Sequence, residues 1–239
     1  MLIIKQDPFF PFLKHQKQHM KTTSLLTMAA VIVFLISCQS TEKEKNAMNS
    51  QTEKNRTVET IMNRRSIRSY LPEQIKPEQL DTILQCAINA PSALNKQPWE
   101  VRVIQNPELL EKINKGFVEY AAEKSLPGSA SKAKEEGFSV FHGSPTLIVV
   151  AHDTLNSYSQ VDCGLLGQNI LLAAESMNIG TCVVGSLVAY FNTPEAKNSV
   201  ISEFNFSENY QAIYTIAIGY KNEQPEAKSR ERAKVRFIR

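Results

Sequence analysis

Three guanidinium groups and a hydroxyl fall within five residues, at Arg64, Arg65, Ser66 and Arg68, in a run RRSIRSY that ends at Tyr70. Like charges this close are costly unless an anion or acidic groups meet them, and the planar guanidinium fork matches phosphate in two-point contact. Taken alone, the segment reads first as a solvated basic face. Lys228, Arg230 and Arg232, interleaved with Ser229 and Glu231, offer the same pair of readings in the tail. Two further segments have the composition of a binding loop. Residues 90–99 (APSALNKQPW) set Pro91, Ser92, Ala93 and Asn95 ahead of the single tryptophan, with exposed amides and hydrogen-bonding side chains. Residues 178–186 (NIGTCVVGS) hold glycines that let backbone come close to a flat ligand. Each has a plainer reading too, as a helix-to-strand connection and as a buried strand with turn glycines.

The elements around these segments follow from periodicity. Residues 58–63 suit a short helix with Val58, Ile61 and Met62 on one side. Lys76-Pro77-Glu78 opens a helix whose apolar face is Leu80, Ile83, Leu84, Ala87 and Ile88, and Ala90-Pro91-Ser92 stops it. Residues 100–105 alternate as a strand, and Asn106-Pro107 starts a helix over 108–115. Residues 116–140 are polar and mixed, broken by Pro127-Gly128-Ser129, and suit a mobile cover over a site. The apolar run TLIVVA at 146–151 predicts a central strand buried on both faces. Residues 162–177 predict a long helix that is apolar nearly all round, which hints at a dimer interface. Residues 180–185 and 210–219 are further strands, and no internal repeat is visible.

The order and spacing of the four segments together resemble the nitroreductase family of FMN enzymes, over nearly all of residues 57–239. The carrying residues are Arg64-Arg65-Ser66-Ile67-Arg68, the run from Pro91 to Trp99, Asp162-Cys163-Gly164, Gly180-Thr181-Cys182 and the basic tail around Arg230. The resemblance implies an α+β sandwich, a central mostly antiparallel sheet flanked by helices, in an intertwined homodimer with an FMN at each end of the interface. It implies that Arg64, Arg65, Ser66 and Arg68 grip the ribityl phosphate together with Arg230 and Lys228. Pro91, Ser92, Ala93 and Asn95 would reach the flavin of the partner subunit. The backbone of Val183, Val184, Gly185 and Ser186 would line the isoalloxazine ring, with the Gly185 amide toward the nitrogen that accepts hydride. The tail lacks the Pro-Leu pair of the commonest family ending, so Arg230 and Arg232 both remain candidates for the phosphate.

The chemistry so implied is a ping-pong cycle in which NAD(P)H reduces the flavin and a small aromatic acceptor, a nitro compound or quinone, reoxidises it. Such a cycle asks for no side-chain acid or base, which agrees with the lack of a catalytic His or Cys constellation. Two rival readings stand. One is a reductive dehalogenase or another specialised member of the same flavin family; the dehalogenase lid grips an amino acid through Glu, Tyr and Lys, and Glu119, Tyr120, Lys124, Lys132 and Lys134 are present but do not align to that pattern. The other is an exported lipoprotein that binds flavin without NAD(P)H turnover.

The N-terminal part reads as targeting sequence. Met20-Lys21 precedes an apolar run from Leu25 to Ser37, too short for a comfortable membrane span, and Leu35-Ile36-Ser37-Cys38 resembles the lipobox of bacterial lipoproteins. Acylation at Cys38 would anchor the protein by more than one chain. Residues 1–19 fit poorly ahead of a signal peptide, so translation is expected to begin at Met20 rather than Met1. Residues 20–37 are then the signal peptide, 38–56 a polar tether and 57–239 the folded domain. Gln39 in place of an acidic retention residue favours the outer membrane of the cell envelope.

The chain has 239 residues, 42% of them hydrophobic, enough for one α/β domain with terminal extensions. A net charge of +3 gives no reason to expect a nucleic-acid partner. Cys38, Cys86, Cys163 and Cys182 have no metal-type spacing, so no zinc site is expected, and the last three read as small buried apolar residues.

Overall fold

Successive side chains of a strand leave on opposite faces, so a run apolar at every position needs cover on both sides. Thr146–Asp153 is such a run, buried from Thr146 to Ala151. The computed structural model describes residues 55–239. It makes this strand (β2) an inner member of a four-stranded sheet, between β1 (Trp99–Ile104) and β4 (Tyr210–Tyr220), with β3 (Ile179–Val184) outside β4. All three pairings are antiparallel, with a register shift between Val150 and Ala151 where β2 meets β4. Leu147 and Val149 enter one core with Ile104, Phe117, Val184, Leu187 and Phe191. Ile148 and Val150 enter the other with Ile83, Leu166, Ile170, Ile216 and Ile218. The expected α+β sandwich, an antiparallel sheet with helices on its faces, is the fold observed.

The helices, in order, are α1 (Arg56–Asn63), α2 (Pro77–Ile88), α3 (Pro107–Ala121), α4 (Ser159–Ser176) and α5 (Ser186–Phe191). A helical run from Pro194–Ala196 through Lys197–Ile201 to Ser202–Phe204 follows. The chain divides into units Met1–Arg56 and Thr57–Arg239. Residues 1–19, the expected signal peptide at 20–37, Cys38 and the expected tether up to residue 54 lie outside the described residues. No helix among the described residues is long and apolar enough to cross a membrane.

Three expectations need correction. The helix expected over 108–115 continues to Ala121, because Phe117 and Ala121 prolong the stripe of Leu110 and Ile113. Gly116, inside the helix, is a contact point: a Cβ there would lie 1.9 Å from the Tyr190 hydroxyl. Residues 116–140 are accordingly no polar cover throughout, since Phe117, Ala121, Ala130, Ala133 and Val140 are buried in the first core. Cys86 is exposed while Cys163 and Cys182 are buried. It sits one position before the buried Ala87, about 100° round α2 from the inward face.

Candidate functional site

The basic segment is laid down against β3. The Ile67 N–H donates to the Thr181 carbonyl at 2.9 Å, and Ser66 pairs with Thr181 as a parallel bridge. Farther along, the Leu71 N–H donates to the Tyr220 carbonyl at 3.0 Å. The buried Tyr70 hydroxyl donates to the Ile67 carbonyl at 2.6 Å. Gly180 permits this approach, for a Cβ there would stand 3.0 Å from the Ile67 side chain. With Ile67 turned inward, Arg64 and Arg68 bring their charge toward Cys182. Burial pushes the Cys182 thiol above its ordinary value, and Arg68 and then Arg64 oppose that rise. Arg65 goes elsewhere. Its guanidinium donates to the carbonyls of Met62 (2.7 Å) and Arg64 (2.9 Å). It lines a polar cavity of about 570 Å³ with Glu175, Lys221 and Glu223.

Arg68 lies on the wall of a separate cavity of about 360 Å³, together with Cys182, Val183, Val184, Gly185 and Ser186. Residues 126–130, His142 and Ala189 close its other sides. Val183 is 48% exposed at the strand end while Val184 is buried. At Gly185 a Cβ would meet nothing within 4 Å, so the backbone there borders open space. The Arg68 N–H donates to the Glu223 carboxylate, which ties the segment to the connection after β4. Burial and the Arg68 charge lower the His142 pKa, and Glu223 works against them.

The loop after α2 is held by a buried carboxylate. The Ala93 N–H donates to both Asp162 oxygens, at 3.2 and 3.3 Å, and Asp162 is 4% exposed. The Gln97 N–H donates to the Ser92 hydroxyl at 2.9 Å. Leu94, Asn95 and Gln97 have φ of 54°, 53° and 47°. Such left-handed backbone is unfavourable for residues other than glycine and persists only where surroundings impose it. Pro91 and Asn95 are exposed, and Leu94 is 90% exposed. None of Pro91, Ser92, Ala93 and Asn95 lines the cavity of Arg68. Lys228 and Arg230 are exposed in the tail, where the Arg230 guanidinium donates to the carbonyls of Lys228 (2.9 Å) and Ser229 (3.2 Å). Glu119, Tyr120 and Lys124 line a third cavity, of about 620 Å³, with Lys112 and Tyr190.

Within one chain, then, Arg68 and the Val183–Ser186 backbone share a cavity, with Arg64 near enough to act on Cys182 between them. Arg65, the Pro91–Asn95 loop, Lys228 and Arg230 do not join it. Sequence reasoning missed His142 and Glu223, which come from connections whose composition is ordinary. His142-Gly143 carries a weak signal, a polar-glycine pair before the central strand, and both residues have positive φ, 60° and 69°.

A model described as the nitroreductase family matches residues 61–220 of the chain. The NADPH-flavin oxidoreductase of Vibrio harveyi is 30% identical over 188 residues, which cover 74% of this chain and 70% of that protein. Among solved structures, a nitroreductase with bound FMN from Bacteroides fragilis superposes with a TM-score of 0.71 at 25% identity, covering 78% of this chain and 100% of that one. A nitroreductase with bound FMN from Desulfitobacterium hafniense has a TM-score of 0.69 at 31% identity, with the same 78% and 100% coverage.

Proposed function

The chain belongs to the nitroreductase family, and from that premise we propose that it is an FMN-dependent oxidoreductase acting from NAD(P)H on a nitroaromatic, quinone or related acceptor. The observation that carries this reading is the meeting of Arg68 with the Val183–Ser186 backbone in one cavity, with Arg64 beside it. The residues fit FMN. Two guanidinia on one side of the segment suit a phosphate, and the open backbone at Gly185 suits a flat ring. The FMN-bound structures from B. fragilis and D. hafniense support the cofactor, and the V. harveyi relative supports a nicotinamide reductant.

FMN, when bound, would supply the redox chemistry, hydride transfer between NAD(P)H and the acceptor in a ping-pong cycle. The chain binds and orients. Arg64, Ser66 and Arg68 would hold its phosphate, Lys228 and Arg230 would have to move in from the tail to join them, and Arg65 anchors the segment through the Met62 carbonyl. Val183, Val184, Gly185 and Ser186 would border the ring. No side-chain acid or base is needed.

The site is completed by a second copy of the chain. Leu94, Leu155, Tyr158, Val161 and Leu165 are 90%, 77%, 62%, 63% and 41% exposed, a concentration of large apolar groups around the start of α4 and the loop it holds. We infer that a homodimer covers this surface and that Pro91, Ser92, Ala93 and Asn95 of one subunit reach the flavin of the other. Acylation at Cys38 would tether the dimer to the cell envelope. An envelope location favours one second reading, a flavin-binding lipoprotein without NAD(P)H turnover, because nicotinamide is scarce outside the cytoplasm. Steady-state oxidation of NADPH by the FMN-loaded protein with a quinone acceptor separates the two: sustained turnover supports the oxidoreductase, and none supports the binder.

A further inference from the structure

His142 stands on the cavity wall that Arg68, Cys182 and the Val183–Ser186 backbone also form. Its ring makes no hydrogen bond to any described residue, although it is a polar group in a partly closed space. Its backbone is held in the left-handed region, φ 60°, which a residue other than glycine adopts only where the surroundings impose it. The hold is visible. The His142 N–H donates to the Ser139 carbonyl at 3.0 Å, the Gly143 N–H donates to the Ser139 hydroxyl at 3.0 Å, and the Ser144 N–H donates to the Phe141 carbonyl at 3.2 Å. A strained, tightly bonded turn therefore presents an unpartnered imidazole to the cavity.

We propose that His142 is a ligand-binding residue of this cavity and that it takes up a proton there when an anionic group is bound. This rests on the FMN reading above and adds to it a residue and a proton. Two charged groups act on the ring, Arg68 on the basic segment and Glu223 after β4, and Cys182 of β3 shares its cavity wall. Burial first, and the Arg68 charge after it, lower the affinity of the imidazole for a proton in the free protein, while Glu223 works in the other direction. An anion entering beside Arg68 offsets that positive charge and offers the ring an acceptor, so the protonated form becomes the favoured one. Charge then balances through a proton drawn from solvent. Between the free and bound pKa values of His142, affinity falls as pH rises, by up to about tenfold per pH unit.

The test is calorimetric titration of the full chain with FMN at pH 7, in buffers of different ionisation enthalpy, which counts protons exchanged on binding. Asparagine tolerates φ near 60° and does not titrate, so His142→Asn keeps the turn, and a thermal melt confirms its fold. The wild-type chain is expected to take up a fraction of a proton that H142N lacks. The second ionisation of the phosphate, near pH 6 by ordinary phosphate chemistry, enters both titrations alike. Glu223→Gln, which can still accept from the Arg68 N–H, is expected to move the uptake to lower pH. Binding of FMN with the same proton count in wild type and H142N would overturn this inference alone. Absence of FMN binding by the wild-type chain would overturn the underlying reading and this inference with it.

Discussion

The Asp162 carboxylate, buried at the start of α4, accepts the Ala93 N–H on both oxygens, at 3.2 and 3.3 Å. A residue of the central helix thereby fixes a loop that lies 69 positions earlier and holds three non-glycine residues in left-handed backbone. Replacing Asp162 by alanine removes both acceptors of a charge-assisted bond. A loss of about 1–3 kcal/mol in denaturant unfolding is expected, with weaker FMN binding if the loop serves the partner's site. Asp162→Asn keeps one acceptor oxygen and is expected to recover much of the loss. An unchanged unfolding midpoint for D162A would show that the loop is held by other means.

Gly180 and Gly185 lie in one strand-to-helix stretch but answer differently to a methyl group. At Gly180 the added Cβ stands 3.0 Å from three atoms of Ile67, whereas at Gly185 it meets nothing within 4 Å. Gly180→Ala is expected to cost about 1–3 kcal/mol by forcing the basic segment off β3. Gly185→Ala is expected to leave the melting temperature unchanged and still weaken FMN binding, because its methyl occupies the space assigned to the ring. If G185A binds FMN as the wild type does, the ring does not lie against that backbone.

Alkaline pH should destabilise the fold through buried groups whose pKa values are raised. Burial, and after it the Asp162 charge, pushes the Cys163 thiol up to about 12. A raised folded pKa means that the folded chain holds its proton longer than the unfolded chain. The stabilisation is then complete below the ordinary thiol value of 9.0 and is lost as pH rises from there through about 12. Burial raises Tyr70 and Tyr214 likewise and adds to the loss above pH 10.0. Unfolding free energies measured from pH 8 upward are expected to fall, and to fall less steeply in Cys163→Ala. Parallel curves for the two proteins would remove the thiol from the explanation.

Much of the scaffold was legible because burial on two faces writes itself into composition. TLIVVA announced β2, the stripe of Leu80, Ile83 and Ala87 announced α2, and the four sheet strands fell where alternation or apolar runs placed them. The site was legible only as an ordered set of segments. Arg64, Arg65 and Arg68 look equivalent in sequence, yet backbone alternation about the inward Ile67 sends Arg65 to a different cavity. His142 reaches the cavity of Arg68, and Glu223 reaches the Arg68 N–H, through tertiary folding of two connections, and no local pattern encodes that meeting. Gly116 is a related case, since the close contact with Tyr190 that it allows is set by tertiary packing.

Anchorage is open to a direct check. If Cys38 is acylated after signal-peptide cleavage, the protein made in a bacterial host should fractionate with membranes and incorporate labelled fatty acid. Cys38→Ser should abolish the label and release the protein from lipid anchorage. A wild-type protein without label would rule the anchor out.

The most direct measurement is fluorescence titration of the purified chain with FMN, wild type beside Arg68→Ala. Saturable binding of one FMN per chain is predicted, weakened about tenfold to a hundredfold in R68A by loss of a charge-assisted phosphate contact. No saturable binding by the wild type, or equal affinity in R68A, would contradict the placement of FMN in the cavity of Arg68 and Gly185.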